Sequence, residues 1–446
     1  MPLSKADLQS IVGESVEHLR QLVRFKTINP PGEETQAAKY LKEVFDREGI
    51  PAEICEPQPG RGSIVARIAG DGRERPLLLL SHLDVVPAVA KDWAHDPFGG
   101  ELINDEIWGR GTQDCKNVAA TWLAVMLRIK RLGLTPARDI IFAATADEEM
   151  GGVFGVKWLA ENKWDLIDAQ YCLNEGGGNA LRLGGKQYFT YQTGEKSVCW
   201  FRLTARGTAG HASVPLPDNP VVVLSETVAK LGRARLPIHI TPTVTDFVRG
   251  LAAAQPEPRR AALLNILDPS RADRALVEAV GEQHVNDFSA MLRNTATPTI
   301  LRAGEKTNVI PAEAVCDVDG RILPGQTADD LEREIRAVIG DAVAMEFSRT
   351  GVPTESDPRT PLADAIVKAL AKHSPDSAVV PYLVPGATDA RYLRPRGMIV
   401  YGFVPTLPEV DVKSVHGINE RLPVRSFAFG IQVAWDVVAA LARLPA

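Results

Sequence analysis

Short apolar runs alternate with stretches of helical spacing through the first part of the chain. Residues 10–23, 34–48 and 116–132 place apolar side chains at helical intervals. Between them, 63–68 alternates apolar and polar, while 77–81 and 139–146 are nearly continuous apolar runs. Continuous runs are what strands covered on both faces require, and strands separated by helices favour parallel pairing. The pattern therefore predicts an α/β fold: a domain with a mostly parallel mixed sheet flanked by helices.

The pattern changes after Glu175-Gly176-Gly177-Gly178. Residues 198–205 mix apolar and polar positions as a half-solvated strand does, and a helix over 220–231 follows. Strand-like runs at 298–303, 312–322 and 343–348, with a helix at 329–339, complete a two-layer α+β module with two main helices. The α/β character returns from about residue 362. We therefore expect a discontinuous α/β domain, 1–195 and 351–446, interrupted by an inserted domain, 196–350. Residues 237–293 read as a long irregular connection without an assigned element.

Composition narrows the class. The 446 residues exceed one ordinary core, and 45% hydrophobic with 24% charged residues is the balance of a soluble globular protein. A net charge of −6 argues against a nucleic-acid partner. The five cysteines, Cys55, Cys115, Cys172, Cys199 and Cys316, form no C-x-x-C pair and read as reduced thiols. Residues 1–7 contain no apolar signal core, and no stretch reaches the ~18 uninterrupted apolar residues of a membrane span. A cytoplasmic protein without membrane contact is expected.

The chemistry lies just beyond the apolar runs, where open α/β sheets bind ligands. His82 and Asp84 follow the 77–80 run, and their spacing puts both side chains on one side of an extended chain. His82 reads as a metal ligand and Asp84 as the carboxylate that orients it; a loop histidine beside an aspartate is the alternative. Asp114 stands directly before a helix, either as its N-cap or as a carboxylate bridging two cations. In Asp147-Glu148-Glu149, a metal ligand (Glu149) and a general base (Glu148) would both touch one water; a solvated acidic turn is the bland reading. Glu175 follows the 171–173 run. His416, which taken alone is a surface histidine, follows the 398–403 run. Imidazoles and carboxylates without thiolate suit Zn²⁺, with Co²⁺ or Mn²⁺ as substitutes.

Taken in order, these strings resemble the dinuclear zinc peptidase family of aminoacylases, glutamate carboxypeptidases, carnosinase-like dipeptidases, acetylornithine deacetylases and succinyl-diaminopimelate desuccinylases. The matching segments are Ser81-His82-Leu83-Asp84, with Trp93 and Asp96-Pro97-Phe98; Gly109-Arg110-Gly111 with Asp114 and Lys116; Asp147-Glu148-Glu149 with Gly151-Gly152; and His416-Gly417 with Asn419-Glu420. The resemblance implies two Zn²⁺ per subunit, one on His82 and Glu175, the other on Glu149 and His416, with Asp114 bridging. It also implies a cis Asp114–Cys115 peptide and Glu148 as general base. The inserted domain would be a lid and the interface of a homodimer. Its His211, in Gly207-Thr208-Ala209-Gly210-His211, would stabilise the oxyanion in the partner's site. Asn308 and Arg321 would meet the substrate carboxylate. Gly386 and Thr388 would line the site, with Ala387 where the family often has a second glycine. The implied activity is hydrolysis of an amide or peptide bond in a small carboxylate-bearing substrate, an N-acyl amino acid or short peptide. The alternatives are a narrow deacylase or desuccinylase of a biosynthetic intermediate, or a catalytically silent metal-binding scaffold.

Overall fold

The apolar runs become the middle of a mixed sheet. A computed structural model describes residues 5–444; the first four residues of the amino-terminal segment considered above lie outside it. The chain divides into two compact units, the first comprising Met1–Thr193, Ser356–Tyr382 and Thr388–Ala446, the second Gly194–Glu355 and Leu383–Ala387.

The first unit opens with α1 (Lys5–Arg24), α2 (Thr35–Arg47), β1 (Ala52–Cys55), β2 (Ser63–Ile68) and β3 (Leu77–His82). A hairpin of β4 (Glu101–Ile103) and β5 (Glu106–Trp108) precedes α3 (Lys116–Arg131) and β6 (Ile140–Thr145). Then come α4 (Val156–Asn162), α5 (Trp164–Ile167), β7 (Tyr171–Asn174), β8 (Ala180–Leu183) and β9 (Lys186–Glu195). The second unit contributes β10 (Ser197–Arg206), β11 (Gly210–His211), α6 (Pro220–Arg233), α7 (Pro242–Ala253), α8 (Arg259–Asn265), α9 (Ala272–Val280) and α10 (Val285–Leu292). It continues through β12 (Thr295–Ala303), β13 (Val309–Ile310), β14 (Glu313–Ile322), α11 (Ala328–Ile339), β15 (Ala344–Thr350) and β16 (Thr354–Glu355). The last stretch runs α12 (Pro361–His373), β17 (Ala378–Val384), α13 (Ala390–Leu393), β18 (Ile399–Gly402), β19 (Arg421–Pro423) and α14 (Val424–Leu441).

The large sheet runs β1-β2-β6-β3-β7-β18-β9. Its centre, β6-β3-β7-β18, is parallel, and the flanking pairs β1/β2, β2/β6 and β18/β9 are antiparallel. Every residue of β3, β6 and β7 is buried, as a strand covered on both faces must be. Helix α3 packs on this centre: Trp122 is fully buried and its indole N–H donates to the Leu80 carbonyl at 3.0 Å. Leu79, Leu123 and Phe142 of the same core are also fully buried, each stabilising the fold by roughly 1.5–3 kcal/mol. Helix α14 is 18 residues long, with mean hydropathy 1.4 and 61% of it buried, so length and composition alone would let it span a membrane. Arg425, Gln432 and Asp436 break its apolar run, and its apolar faces pack on α3, α12 and α1.

In the second unit four antiparallel strands form the order β12-β14-β10-β15. The side chains of β10 alternate in burial, and its inward residues Cys199, Phe201, Leu203 and Ala205 pack against Leu224 of α6 and Leu331 and Ile335 of α11. A Thr327/Asp330 capping box starts α11. The expectation of only two main helices is corrected. Residues 237–293, read as an irregular connection, contain α7 to α10, of 7 to 12 residues each. Val244, Phe247, Val248 and Leu251 do stand at helical spacing on α7. Pro256, Pro258 and Gly281 then interrupt each pattern before it grows long enough to read.

Candidate metal centre

The parallel centre brings three chemistry-bearing turns to one sheet edge. His82 is the last residue of β3 and stands in register with Thr145 at the end of β6. Glu148 and Glu149 form a single 3₁₀ turn two residues beyond β6, and Glu175 follows β7 directly. The turn is entered through Asp147 at φ 73° and left through Gly151 and Gly152 at φ 116° and 71°, where a side chain on Gly152 would collide with the Asp389 carboxylate. Asp114 precedes α3, across a cis Asp114–Cys115 peptide. His416 lies in the loop between β18 and β19 at φ 58°.

Five of the expected residues converge. Asp114 Oδ1 is 3.0 Å from His82 Nε2, and Asp114 Oδ2 is 3.0 Å from His416 Nε2. His82 Nε2 lies 3.5 Å from Glu175 Oε2, and His416 Nε2 lies 3.3 Å from Glu149 Oε1. Two donor groups result, His82–Asp114–Cys115–Glu175 and Asp114–Glu149–His416, with the donor atoms of each within 4.8 Å of one another. Buried Glu149 Oε1 makes no hydrogen bond of its own. The capping alternative for Asp114 falls away, because Cys115 is the N-cap of α3 and no side chain caps it. Nor is Asp147-Glu148-Glu149 a solvated turn: Asp147 is buried and the two glutamates are half-buried. Beside Asp114 and Glu175 opens a cavity of about 140 Å³ whose walls include Asn117, Val404, Thr406 and Val415.

Charge explains the pairing. Burial pushes Glu175 up to about 7, with His82 opposing and Asp114 reinforcing the shift. Glu148 is raised well above the carboxylate range by burial and then by the Glu175 charge. The carboxylates of Asp114 and then Glu149 beside its Nε2 push His416 up to about 10. His82 is also raised: burial works against its charged form, but the surrounding negative groups outweigh burial. For Asp114 burial works upward, and the hydrogen bonds from His416 and His82 overcome it and hold the carboxyl low. Such a cluster attracts positive charge, whether protons on imidazole or a bound cation.

Asp84 holds the frame in a way the sequence reading did not anticipate. The nearest partner of His82 Nδ1 is the Asp84 main-chain carbonyl at 3.0 Å, while the Asp84 carboxylate is 3.5 Å away. That carboxylate is taken instead by the main-chain N–H groups of Glu148 and Glu149, each at 3.0 Å, and by the Asn29 amide at 2.8 Å. Asn29 also donates to Asp147, which pairs at 2.7 Å with Arg61, itself 3.0 Å from fully buried Glu34. Sequence reading missed this network, and it missed Arg391, whose Nη2 stands 3.7 Å from Glu148 Oε1. Arg391 follows the Thr388-Asp389 segment already singled out, so a buried-charge reading of that segment could have found it. Cys115 Sγ accepts a hydrogen bond from the His82 N–H at 3.1 Å, and burial raises its thiol.

The remaining expected residues are placed as follows. Buried Thr388 accepts from the Ala390 N–H at 3.2 Å and the Asn174 amide at 3.3 Å, the latter one residue before Glu175. In the second unit, His211 is exposed with Nδ1 2.7 Å from Ser213 Oγ. His211 pairs with Val309 across β11/β13, and the Asn308 carbonyl accepts from the Ala212 N–H at 3.1 Å, so these two residues share one ribbon. Arg321 forks onto Asp319 at 2.6 and 3.0 Å, and half-buried Gly386 belongs to the second unit.

Two imidazoles and a fan of carboxylates at one edge of a mixed α/β sheet define a candidate site for divalent cations. A family model described as peptidase family M20/M25/M40 matches residues 78–440, and the chain belongs to that family. It is therefore a metallo-hydrolase acting on amide or peptide bonds. Among its relatives is aminoacylase-1 of Mus musculus, 27% identical over 445 residues, covering 97% of this chain and 96% of the relative. Its fold is similar to that of an M20 metallo-carboxypeptidase from Sulfolobus solfataricus, with TM-score 0.70, 17% identity and coverage of 97% and 100%. It is also similar to that of a dinuclear metal-binding M20 peptidase from Bacillus subtilis, with TM-score 0.61, 13% identity and coverage of 98% and 100%.

Proposed function

We propose that this enzyme uses two divalent cations, zinc foremost, to hydrolyse the amide bond of an N-acyl amino acid or short peptide carrying a free carboxylate. One observation carries the reading: the two oxygens of the single Asp114 carboxylate each stand 3.0 Å from a different imidazole. A carboxylate so placed can serve two cations at once. The orphaned Glu149 Oε1 and the crowding of Glu148, Glu149 and Glu175 fit positive charge in both donor groups. His82, Glu175 and Asp114 would hold one ion; Asp114, Glu149 and His416 the other. The similarity to aminoacylase-1 and to the dinuclear peptidase of Bacillus subtilis supports both the substrate class and the pair of ions. Bound there, the cations would supply Lewis acidity, easing deprotonation of water and stabilising charge on the substrate oxygen.

The side chains do the rest. Glu148, a half-buried carboxylate with raised proton affinity, takes the proton of the attacking water and returns it to the leaving nitrogen. Asp84 fixes the main chain of that glutamate. In this reading His211 and Asn308 contribute to oxyanion and substrate recognition through a homodimer, as the family resemblance implies. Arg321 does so by exchanging Asp319 for the substrate carboxylate, and Gly386 and Thr388 line the approach. A panel of N-acyl amino acids and dipeptides, scored by released amine with and without chelator, tests the proposal. Chelator-sensitive turnover of at least one class is the expected result. No turnover across the panel by protein holding two zinc ions per chain would overturn it.

A further inference from the structure

The two donor groups are not held alike. His82 and Glu175 sit at the ends of β3 and β7, adjacent parallel strands whose register is fixed by Leu77 opposite Tyr171 and Leu79 opposite Leu173. His416 has no strand beneath it. Its loop is secured instead around the turn that carries Asp114. Glu420, fully buried, pairs with Arg110 at 2.5 Å, and its Oε1 accepts from the main-chain N–H groups of Gly111 at 3.1 Å, Gln113 at 2.7 Å and Asp114 at 3.3 Å. Arg110, 2% exposed, donates at 2.7 Å to the carbonyl of Gly417, next to His416. Gln113 adds bonds to Ser414 Oγ at 2.9 Å and to the carbonyls of Asp411 and Arg421 at 3.2 and 3.0 Å.

Glu420 and Arg110 therefore grip both sides of the Asp114–His416 contact: one bonds the N–H of Asp114, the other the carbonyl beside His416. Among the described residues neither hydrogen-bonds to His82 or Glu175, which the sheet already positions. The two residues touch neither donor group through their own side-chain ligating atoms, so they act through the main chain. We infer that the Glu420–Arg110 pair is a positioning device that chiefly sets the affinity of the cation held by Asp114, Glu149 and His416, and affects less the one that shares Asp114 with His82 and Glu175, two ligands held by the sheet. The inference rests on the two-cation reading proposed above. It follows from elementary energetics: hydrogen bonds to an ionised carboxylate are stronger than neutral ones, and removing a partner behind a ligand typically weakens metal affinity about 10–100-fold.

The test is zinc titration of the full-length apoprotein against a chromophoric chelator, for wild type, E420Q, R110K and H416A, with circular dichroism confirming the fold. E420Q keeps the size of the side chain but sets an amide among three N–H donors. The expected result is two zinc sites in wild type, with one weakened about 10–100-fold in E420Q and the other within about threefold. H416A should remove the same site, and E420Q should add no further loss in the H416A background. R110K keeps the charge but not the fork to Gly417, so it should weaken the same site more mildly; R110K decides the question if E420Q does not fold. Two undiminished sites in E420Q or, in that event, in R110K, or equal weakening of both, would overturn the inference while leaving the two-cation function standing. Fewer than two sites in the wild type would overturn that function itself, and the inference with it.

Discussion

Replacing Asp84 with Asn separates two jobs this residue could do. In the structure its carboxylate accepts from the N–H groups of Glu148 and Glu149 at 3.0 Å each and from Asn29 at 2.8 Å, entirely out of solvent. Asparagine preserves the shape but turns one oxygen into a donor. The two main-chain donors face different oxygens, so either amide orientation sets an NH₂ group against a buried N–H. Losing one bond to an ionised acceptor costs about 1.5–3 kcal/mol, and the N–H left unpaired adds to it. Neutralising a buried charge returns part of its desolvation penalty, which leaves a net loss of about 2–3 kcal/mol. Urea unfolding at neutral pH measures this directly. Meanwhile His82 keeps its hydrogen bond to the residue 84 carbonyl, which the substitution does not touch. The functional loss should therefore fall on turnover and on the zinc ion at Glu149, not on the one at His82. A D84N protein within about 0.5 kcal/mol of wild type would refute the turn-holding argument. A selective loss of the His82 ion would show that the carboxylate orients the imidazole instead.

E148Q should keep both zinc ions and lose about 10²–10⁴-fold in kcat, the usual worth of a general base; near-wild-type turnover at unchanged zinc content would contradict that role. Lys196 predicts a pH effect. Burial, with Arg321 nearby, lowers its ammonium to about 7, and its Nζ meets the Ala290 and Arg293 carbonyls and Thr295. Unfolded, it titrates near ~10.4. Between those values the unfolded chain holds a proton that the folded chain lacks, so this group makes stability rise with pH from about 7 to 10 and level off above. Denaturation midpoints of K196M should show a shallower rise over that window, by at most about 1.4 kcal/mol per pH unit; parallel slopes would remove Lys196 as the cause. Leu331 is fully buried between α11 and the β14/β10 sheet, so L331A should cost about 2–5 kcal/mol in urea denaturation. A smaller loss would mean that the site collapses around the truncation.

Much of the candidate site was legible because strands covered on both faces must be apolar throughout, which makes a charged residue at their ends conspicuous. His82, Glu148, Glu149 and Glu175 were found that way, His82 as the last residue of β3 and the others just beyond β6 or β7. His416 and Asp114 carried a weaker signal: one stands in a loop well past the 398–403 run, the other reads as a helix cap, and only their combination with the other clusters raised them. The helices α7 to α10 were illegible for a different reason, since stretches of 7 to 12 residues broken by proline and glycine give too few turns to establish a period.

The sequence by itself determined the sheet's centre and the chemical kinds of donor, because burial pattern and residue type are local properties of a chain. Only the tertiary structure decided who holds whom. Asp84 meets a turn some 64 positions away, and Glu420 meets the Asp114 turn across 306. A buried carboxylate must satisfy its oxygens with whatever donors the closed fold brings within about 3 Å. Periodicity along the chain carries no record of that choice.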